Sequence, residues 1–282
     1  MTVDGNGPEP FGTRLHRAIA ERGRLCVGID PHAALLEAWG LDDDVAGLER
    51  FALTAVEALA PVVSVLKPQS AFYERFGSRG VAVLEKVIAH AREAGALVLL
   101  DVKRGDIGST TQAYADAYLD PASPLACDAI TASPFLGFGS LDPMVQTARK
   151  HGAGLFVLAL TSNPEGHEVQ RARADDGRTV AEHVLADLRA LNAEASPLGS
   201  FGPVIGATIA DPETEVDVNG PILVPGYGAQ GGTVADIRRI FGAASAAVLP
   251  STSREVLRAG PSVSGLVEAA RRANDDVSAL DG

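Results

Sequence analysis

The chain has little cysteine. Only Cys26 and Cys127 occur among 282 residues, and no C-x-x-C pair is present. This excludes a disulfide framework and a cysteine zinc cluster, and it is typical of a protein kept in a reducing compartment. We therefore predict a cytoplasmic location and two thiols that are buried as small apolar side chains.

Positive charge and long hydrophobic runs are also scarce. The 24 basic residues are outnumbered by 36 acidic ones, for a net charge of −12. No apolar run approaches the ~18 residues of a membrane span. An acidic surface disfavours nonspecific binding to nucleic acid or membranes, so we predict neither as a partner and expect a small-molecule substrate instead. Residues 1–10 are polar and lack a signal-peptide pattern, which predicts a flexible tail before a folded domain over 11–282.

Several common catalytic motifs are missing. The sequence contains no G-x-x-x-x-G-K-[ST], H-E-x-x-H or G-x-S-x-G segment. Its six histidines do not cluster at ligand spacing. A histidine metal site is therefore not expected.

Short apolar runs alternate with amphipathic stretches along the whole chain. The runs are nearly continuous rather than alternating, which is typical of parallel strands covered on both faces. They occupy 25–30, 62–67, 97–101, 128–131, 155–160, 204–208, 222–224 and 246–249. Helical spacing of apolar and charged residues occurs over 14–22, 45–59, 81–94, 111–119, 141–151, 180–193, 234–241 and 255–272.

This order predicts an α/β fold, a (β/α)₈ TIM barrel in a single domain, with a doubly wound open sheet as the alternative. The least regular stretch, 163–177, follows the fifth strand and predicts a solvated excursion or lid.

Lysine is rare, and its placement is informative. Only four of the 24 basic residues are lysines. Lys86 and Lys150 fall on predicted helices, whereas Lys67 and Lys103 fall on hydrophobic strands, where an unpaired charge is costly. Because this chain otherwise uses arginine for positive charge, we infer that these two positions need a compact ammonium able to release a proton. Structural neutralisation of carboxylates is the alternative.

Acidic residues interleave with these lysines. Asp101 and Lys103 are two apart, so an extended strand points both to the same face, and Asp106 follows a turn at Gly105. With Lys67 they predict an alternating row of ammonium and carboxylate groups where the strands end. Carboxylates hold their lysine neighbours protonated, which suits a reaction that protonates a carbanion.

The loops after the seventh and eighth strands predict a phosphate site. Such loops commonly bind phosphate in barrels, and Arg254 supplies a planar fork for phosphate oxygens. A turn followed by a helix cap is the alternative. Gly226-x-Gly228-x-x-Gly231 matches a dinucleotide fingerprint, but the next strand lacks the acidic residue that this fingerprint requires.

Residues 100–110, LDVKRGDIGST, closely resemble the D-x-K-x-x-D signature of orotidine 5′-phosphate decarboxylase in its longer bacterial (type 2) subgroup. Segments that fall in the family's order span nearly the whole chain: 28–31, 66–69, 160–164, 224–226 and 253–254. The resemblance implies conversion of orotidine 5′-monophosphate to uridine 5′-monophosphate and CO₂, the last step of de novo UMP synthesis, without metal or cofactor. It also implies a homodimer with shared active sites.

The resemblance also assigns roles. It makes Lys103 the acid that protonates carbon-6, places Asp101 against the departing carboxylate, and has Lys67 order the row and contact the ribose. The other roles that it implies are Asp106 entering the partner's site with Ile107 and Thr110 beside it, Asp30 binding ribose hydroxyls, Ser162 reading the pyrimidine, and Gln230 and Arg254 holding the phosphate. Gln69 competes with Gln230 for an amide role.

Three alternatives remain open. A 3-hexulose-6-phosphate synthase-like lyase or a ribulose-phosphate epimerase would use the same scaffold with a divalent metal. An aldolase would use Lys67 or Lys103 to attack a carbonyl, although acidic neighbours that keep both protonated argue against it. A non-catalytic binder of a phosphorylated ligand would need the phosphate site but not the row of lysines and carboxylates.

Overall fold

The apolar runs form eight parallel strands that close into a barrel. The computed structural model describes residues 7–281. Its strands are β1 (Cys26–Ile29), β2 (Val65–Pro68), β3 (Leu97–Arg104), β4 (Ala129–Ala132), β5 (Gly154–Leu160), β6 (Phe201–Ile205), β7 (Ile222–Pro225) and β8 (Val248–Thr252). Each strand pairs with its sequence neighbours, and β8 pairs with β1. The predicted single-domain barrel is confirmed, and the open sheet is excluded.

Twelve α-helices within the described residues surround or cap the barrel. They are α1 (Phe11–Arg22), α2 (Ala33–Ala38), α3 (Val45–Leu59), α4 (Ala71–Glu74), α5 (Gly77–Glu93), α6 (Gly108–Leu119), α7 (Asp142–His151), α8 (His167–Gln170), α9 (Val180–Leu191), α10 (Val234–Phe241), α11 (Arg254–Leu257) and α12 (Val263–Ser278). The predicted bounds of α3 and α10 are confirmed at both ends. Asp44 begins α3 by accepting a hydrogen bond from the Gly47 N–H at 2.8 Å, as is typical of an N-cap.

Helix α1 closes the amino-terminal end of the barrel. Its Phe11 enters the barrel core and meets Phe156 of β5 edge to face, with ring centroids 6.0 Å apart. Arg14 of the same helix pairs with the buried Asp128, which also accepts a hydrogen bond from the Val98 N–H at 2.9 Å. With this end filled, the chemistry is left to the carboxyl ends of the strands.

Several predicted boundaries are wrong, and three of the differences are explained by specific contacts or residues. Strand β6 begins at Phe201 rather than 204, because residues 201–203 pair with β5 despite their turn-like Gly-Pro composition. Strand β8 runs over 248–252 instead of 246–249, because pairing with β7 and β1 carries it past the end of the apolar run. The helix expected over 255–272 is two helices, α11 and α12, separated at Gly260-Pro261.

The break between α11 and α12 has a local cause. A residue that precedes proline disfavours the helical conformation. A side chain at Gly260 would also collide with Trp39, since a Cβ there would lie 2.0 Å from the indole ring. Ser262 then starts α12 by accepting a hydrogen bond from the Gly265 N–H.

The connections after β5 and β6 differ from the regular βα pattern. The irregular stretch 163–177 is confirmed as an excursion and carries only one short 3₁₀ turn and the four-residue α8. The β6–β7 connection, 206–221, contains no helix. Arg171, Arg189 and Arg239 donate hydrogen bonds to its carbonyl oxygens instead. Arg171, from the excursion, also pairs with Glu213 at 3.0 Å, so the two irregular connections contact each other.

Two further features are the amino-terminal segment and the apolar character of the helices. Residues 1–6 of the predicted tail lie outside the described residues, while Glu9 pairs with Arg17 of α1 at 2.7 Å. Across 7–281, the structure has no helix with the length and apolar character that a bilayer crossing requires.

Candidate active site

Asp101 lies between the two strand lysines at the carboxyl end of the barrel. Lys103 Nζ donates to both carboxylate oxygens of Asp101, at 2.6 and 2.7 Å. Lys67 Nζ, from the neighbouring β2, lies 3.6 Å from Asp101 Oδ2. The side chains of Lys67 and Asp101 are under 10% exposed, whereas that of Lys103 is 44% exposed. The three groups therefore form a compact ion cluster with one buried and one accessible ammonium.

The backbone at Lys103 is not that of a regular strand. Its φ is +45°, in the left-handed region that side chains disfavour. The pairing between β3 and β4 shifts register at this point. The predicted contact between Asp101 and Lys103 is present, but it depends on this irregular backbone as well as on strand alternation.

Asp30 completes the acidic side of the cluster. It follows β1, is 8% exposed, and its Oδ1 is buried without a hydrogen-bond partner in the described chain. Gly28, which pairs with Lys67 across the strands, makes room for it, because a Cβ at Gly28 would lie 2.9 Å from Asp30 Oδ2. An unpartnered buried carboxylate oxygen is a position where a ligand hydroxyl can donate a hydrogen bond.

Charge attraction governs the ionisation of the cluster. Burial alone would lower the pKa of Lys67, but the attraction of Asp30 and Asp101 outweighs it and holds that pKa above its usual range. Burial alone would raise the pKa of Asp101, but the attraction of Lys67 and Lys103, with hydrogen bonds from Lys103 and Thr131, holds it below its usual value. Lys67 and Asp101 are therefore fixed charges at neutral pH.

The cluster opens into a cavity of about 220 Å³. Gln230, in the loop after β7, and Arg254, after β8, line the same cavity. Thr252 Oγ1 and Ser253 Oγ, beside Arg254, are buried without hydrogen-bond partners in the described chain. No carboxylate among residues 7–281 pairs with Arg254. This wall thus offers a guanidinium and two unused hydroxyls to an anionic group.

Six of the ten predicted site residues line this one cavity. They are Asp30, Lys67, Asp101, Lys103, Gln230 and Arg254. The competing amide, Gln69, also lines it, so both glutamines are placed to contact a ligand.

The other four predicted residues do not line the cavity within this chain. Asp106 lies past the end of β3, where its Oδ1 accepts a hydrogen bond from the Ile107 N–H at 2.7 Å. Ile107 is 62% exposed, and Thr110 is also exposed. Ser162 lines a separate cavity of about 110 Å³ between the connections after β5 and β6. Within one chain the charged cluster therefore has three of the four expected members, and Asp106 lies outside it.

Sequence reasoning missed Thr131. Its Oγ1 donates a hydrogen bond to Asp101 Oδ1 at 2.8 Å and accepts one from the Lys103 N–H at 2.9 Å. The side chain lines the cavity and is 1% exposed. A hydroxyl where the predicted fourth strand ends was the available signal, but nothing in the sequence shows which neighbour it bonds.

The positions of the His, Cys, Asp and Glu side chains bear on metal binding. Among residues 7–281, no three His, Cys, Asp or Glu side chains converge as a metal-binding group. In the cavity, Asp101 is instead paired with the ammonium groups of Lys67 and Lys103.

The sequence matches known proteins along most of its length. A family model described as Orotidine 5′-phosphate decarboxylase / HUMPS family matches residues 23–271. The orotidine 5′-phosphate decarboxylase of Nocardioides sp. is 75% identical over 252 residues, which cover 88% of this chain and 92% of that protein. The protein of the same name from Corynebacterium glutamicum is 51% identical over 256 residues, which cover 90% and 92%.

Solved structures agree with the sequence matches. A crystal structure from Streptomyces avermitilis, assigned the same name, superposes with a TM-score of 0.95 at 61% identity and 99% coverage of both chains. The Leishmania donovani OMP decarboxylase superposes with a TM-score of 0.76 at 30% identity, over 96% of this chain and 98% of that one. The chain is therefore an enzyme of the orotidine 5′-phosphate decarboxylase / HUMPS family.

Proposed function

We propose that this enzyme converts orotidine 5′-monophosphate to uridine 5′-monophosphate and CO₂, as the last step of de novo UMP synthesis and without metal or cofactor. The observation that carries the proposal is the position of Asp101, held between Lys67 and Lys103 in a cavity that Arg254 also lines. The names of the close relatives support the same reaction.

The cluster suits the loss of a carboxylate. A substrate carboxylate placed against Asp101 meets a fixed negative charge, while the adjacent ammonium favours negative charge that develops on carbon-6. The bond between carbon-6 and the carboxyl carbon breaks, and its electron pair stays on carbon-6. A proton from Lys103 Nζ then completes the product, and CO₂ leaves.

Exposure distinguishes the two lysines as proton donors. Lys67 is buried, and its raised pKa makes it a permanent cation that orders its neighbours. The side chain of Lys103 is 44% exposed, so after giving up a proton it can regain one from water. We therefore propose that Lys103 is the general acid and that Lys67 holds Asp101 and contacts the ribose.

The cavity residues that follow β7 and β8 suit the phosphate. Arg254 can form a bidentate pair with phosphate oxygens, and Gln230 and the free hydroxyls of Thr252 and Ser253 can donate further hydrogen bonds. The buried, unpartnered oxygen of Asp30 suits a ribose hydroxyl. Binding energy from these remote groups can then orient the reacting carboxylate without taking part in the chemistry.

We propose that Asp106, Ile107 and Thr110 act in the active site of a second copy of this chain. Ile107, Phe135 and Leu136 are 62%, 73% and 52% exposed and lie on the loops after β3 and β4. These two loops are joined by a hydrogen bond from the Ser133 N–H to the Arg104 carbonyl at 2.8 Å. Such exposed apolar groups beside a cavity favour burial against another protein surface, and a homodimer would place the Asp106 segment at the partner's cavity.

Ser162 is the proposed reader of the pyrimidine edge. It directly precedes the excursion after β5 and lies outside the cavity of the ion cluster. The excursion is fastened at its base, since Gln170 accepts a hydrogen bond from the Thr161 N–H at 2.9 Å and donates one to Thr161 Oγ1 at 2.7 Å. We propose that the excursion closes over a bound pyrimidine. The two buried, unpaired cysteines support a cytoplasmic location.

One assay tests the proposed reaction. Orotidine 5′-monophosphate is added with excess chelator, and its conversion is followed by ultraviolet absorbance. We expect rapid turnover that chelation leaves unchanged. Loss of activity on chelation would instead favour a metal-dependent lyase or epimerase, and borohydride trapping of a lysine adduct would favour an aldolase. Binding of nucleotides without turnover would leave only a ligand-binding role.

A further inference from the structure

Thr131 lies opposite the interruption in the β3–β4 ladder. The pairs that flank the interruption are Leu100 with Ile130 and Arg104 with Ala132. Between these pairs lie three residues of β3 but only one residue of β4. Asp101 and Lys103 belong to the surplus on β3. Thr131 is the one residue of β4 between those pairs, so it stands where regular ladder hydrogen bonds are lost.

The Thr131 hydroxyl takes the place of the missing ladder bonds. It accepts a hydrogen bond from the Lys103 N–H at 2.9 Å and lies 2.8 Å from Asp101 Oδ1. A backbone N–H can only donate, so the single hydroxyl hydrogen is left for the carboxylate. The bonds therefore run in one direction, from the Lys103 backbone through Thr131 to Asp101. In a buried setting each such bond strengthens the next.

This link touches both reacting groups from the neighbouring strand. Asp101 Oδ1 accepts hydrogen bonds from both Lys103 Nζ and the Thr131 hydroxyl, and the two bonds fix the rotation of the carboxylate. The amide of Lys103 is held at a residue whose φ of +45° is unfavourable on its own. Without the hydroxyl, the carboxylate and the backbone that carries the ammonium would each lose a fixed partner.

We propose that Thr131 is a positioning residue, which holds the Asp101 carboxylate and the Lys103 backbone in the geometry that the reaction requires. The effect on turnover rests on the function proposed above, whereas the hydrogen-bond link can be measured without it.

Three variants test the role in turnover. Thr131→Val keeps the shape and removes the hydroxyl, Thr131→Ser restores it, and Thr147→Val changes a buried threonine of α7 whose hydroxyl bonds only outside the site. We expect Thr131→Val to lower kcat about 10- to 100-fold with a much smaller change in KM. Thr131→Ser is expected within about 3-fold of the unaltered enzyme, and Thr147→Val to be unaffected.

The pH profile separates positioning from packing. Removing a hydrogen bond to a carboxylate raises its pKa, so the acidic limb of kcat/KM moves to higher pH in Thr131→Val and returns in Thr131→Ser. The other ionisable groups around Asp101 are Cys26 of β1, Asp30 after β1, Lys67 of β2 and Lys103 of β3. The Thr131 variants leave all four unchanged. A packing defect would lower stability without moving this limb.

Amide hydrogen exchange measures the link itself. With only four lysines, ¹⁵N-lysine labelling gives four backbone amide signals. We expect the Lys103 amide to exchange at least about 10-fold faster in Thr131→Val and normally in Thr131→Ser, with the other three lysines as internal controls. If Thr131→Val is too unstable to study, Thr131→Ala removes the same hydroxyl and carries the same expectations.

The outcomes are distinct. An unchanged Lys103 amide together with an unchanged pH profile would overturn the proposal. Faster exchange of the Lys103 amide in Thr131→Val would support the hydrogen-bond link even if the unaltered enzyme does not decarboxylate orotidine 5′-monophosphate. That second result would refute the proposed function and leave the link in place.

Discussion

Lys103 Nζ lies 2.6 and 2.7 Å from the two carboxylate oxygens of Asp101, and it reaches them from a backbone with φ of +45°. Such a conformation costs about 1–3 kcal/mol and persists only where the surroundings enforce it. The β3–β4 register shift and the buried Lys67–Asp101 pair supply that enforcement. Strain of this kind is typical of residues that must meet a substrate in one geometry.

Stability is expected to depend on the charge of Asp101. Its native pKa is lowered, so its ionisation stabilises the fold above the unfolded pKa of about 3.9. This contribution is lost as the pH falls through the native pKa. In Asp101→Asn, the buried Lys67 loses its ion pair at 3.6 Å but keeps the attraction of Asp30, so the variant is expected to lose at most about 3 kcal/mol near neutral pH. The free energy of unfolding by urea is measured from pH 7 to pH 3 for Asp101→Asn and for the unaltered enzyme. The difference between the two proteins should be largest at pH 7. A gap that widens towards pH 3 would contradict this assignment.

Arg254→Ala is expected to weaken substrate binding. Losing a bidentate pair with phosphate should raise KM about 10- to 100-fold, while inorganic phosphate ceases to inhibit competitively. Arg258→Ala, on the same short stretch but outside the cavity, is the matched control. Equal KM values for the two variants would place the phosphate elsewhere.

Mixed dimers test whether Asp106 acts across an interface. Lys103→Ala and Asp106→Asn should each be nearly inactive alone. In a hybrid dimer, one site combines the intact Lys103 of one copy with the intact Asp106 of the other. Random re-association of equal amounts makes half the dimers hybrids, each with one intact site of two, so activity should recover to about a quarter of that of the unaltered enzyme. No recovery on mixing would place Asp106 in its own chain's site.

The exposed apolar groups beside the cavity should control assembly. Phe135→Asp puts a charge where we expect an interface, so the variant should sediment as a monomer at concentrations where we expect the unaltered enzyme to be a dimer. Its activity should fall with assembly if the sites are shared. Val263→Asp, at an exposed apolar residue elsewhere, is the control. A Phe135→Asp variant that stays dimeric would separate these side chains from the interface.

The sequence predicts the barrel and most of the cavity because both follow from local patterns. Nearly continuous apolar runs indicate buried parallel strands, and charged residues at their carboxyl ends must meet at one rim. The rarity of lysine identifies Lys67 and Lys103 without any structure. These inferences need no knowledge of which strands are irregular.

Features that depend on contacts between distant segments could not be predicted in this way. The start of β6 depends on pairing with β5, and the need for glycine at position 260 depends on the ring of Trp39. The left-handed backbone of Lys103 and its link to Thr131 likewise require β4 beside β3. The proposed role of Asp106 involves a second chain, which a single sequence does not position.

The fate of carbon-6 in heavy water tests the proposed proton transfer from Lys103 most directly. In D₂O, the unaltered enzyme should release CO₂ from orotidine 5′-monophosphate and yield uridine 5′-monophosphate with deuterium at carbon-6, seen as the loss of one proton NMR signal. Lys103→Ala should lose at least about 10⁴-fold in turnover while still binding the product. Lys86 is an exposed lysine paired with Glu49, and the control variant Lys86→Ala should turn over normally. Near-normal turnover in Lys103→Ala would contradict the account.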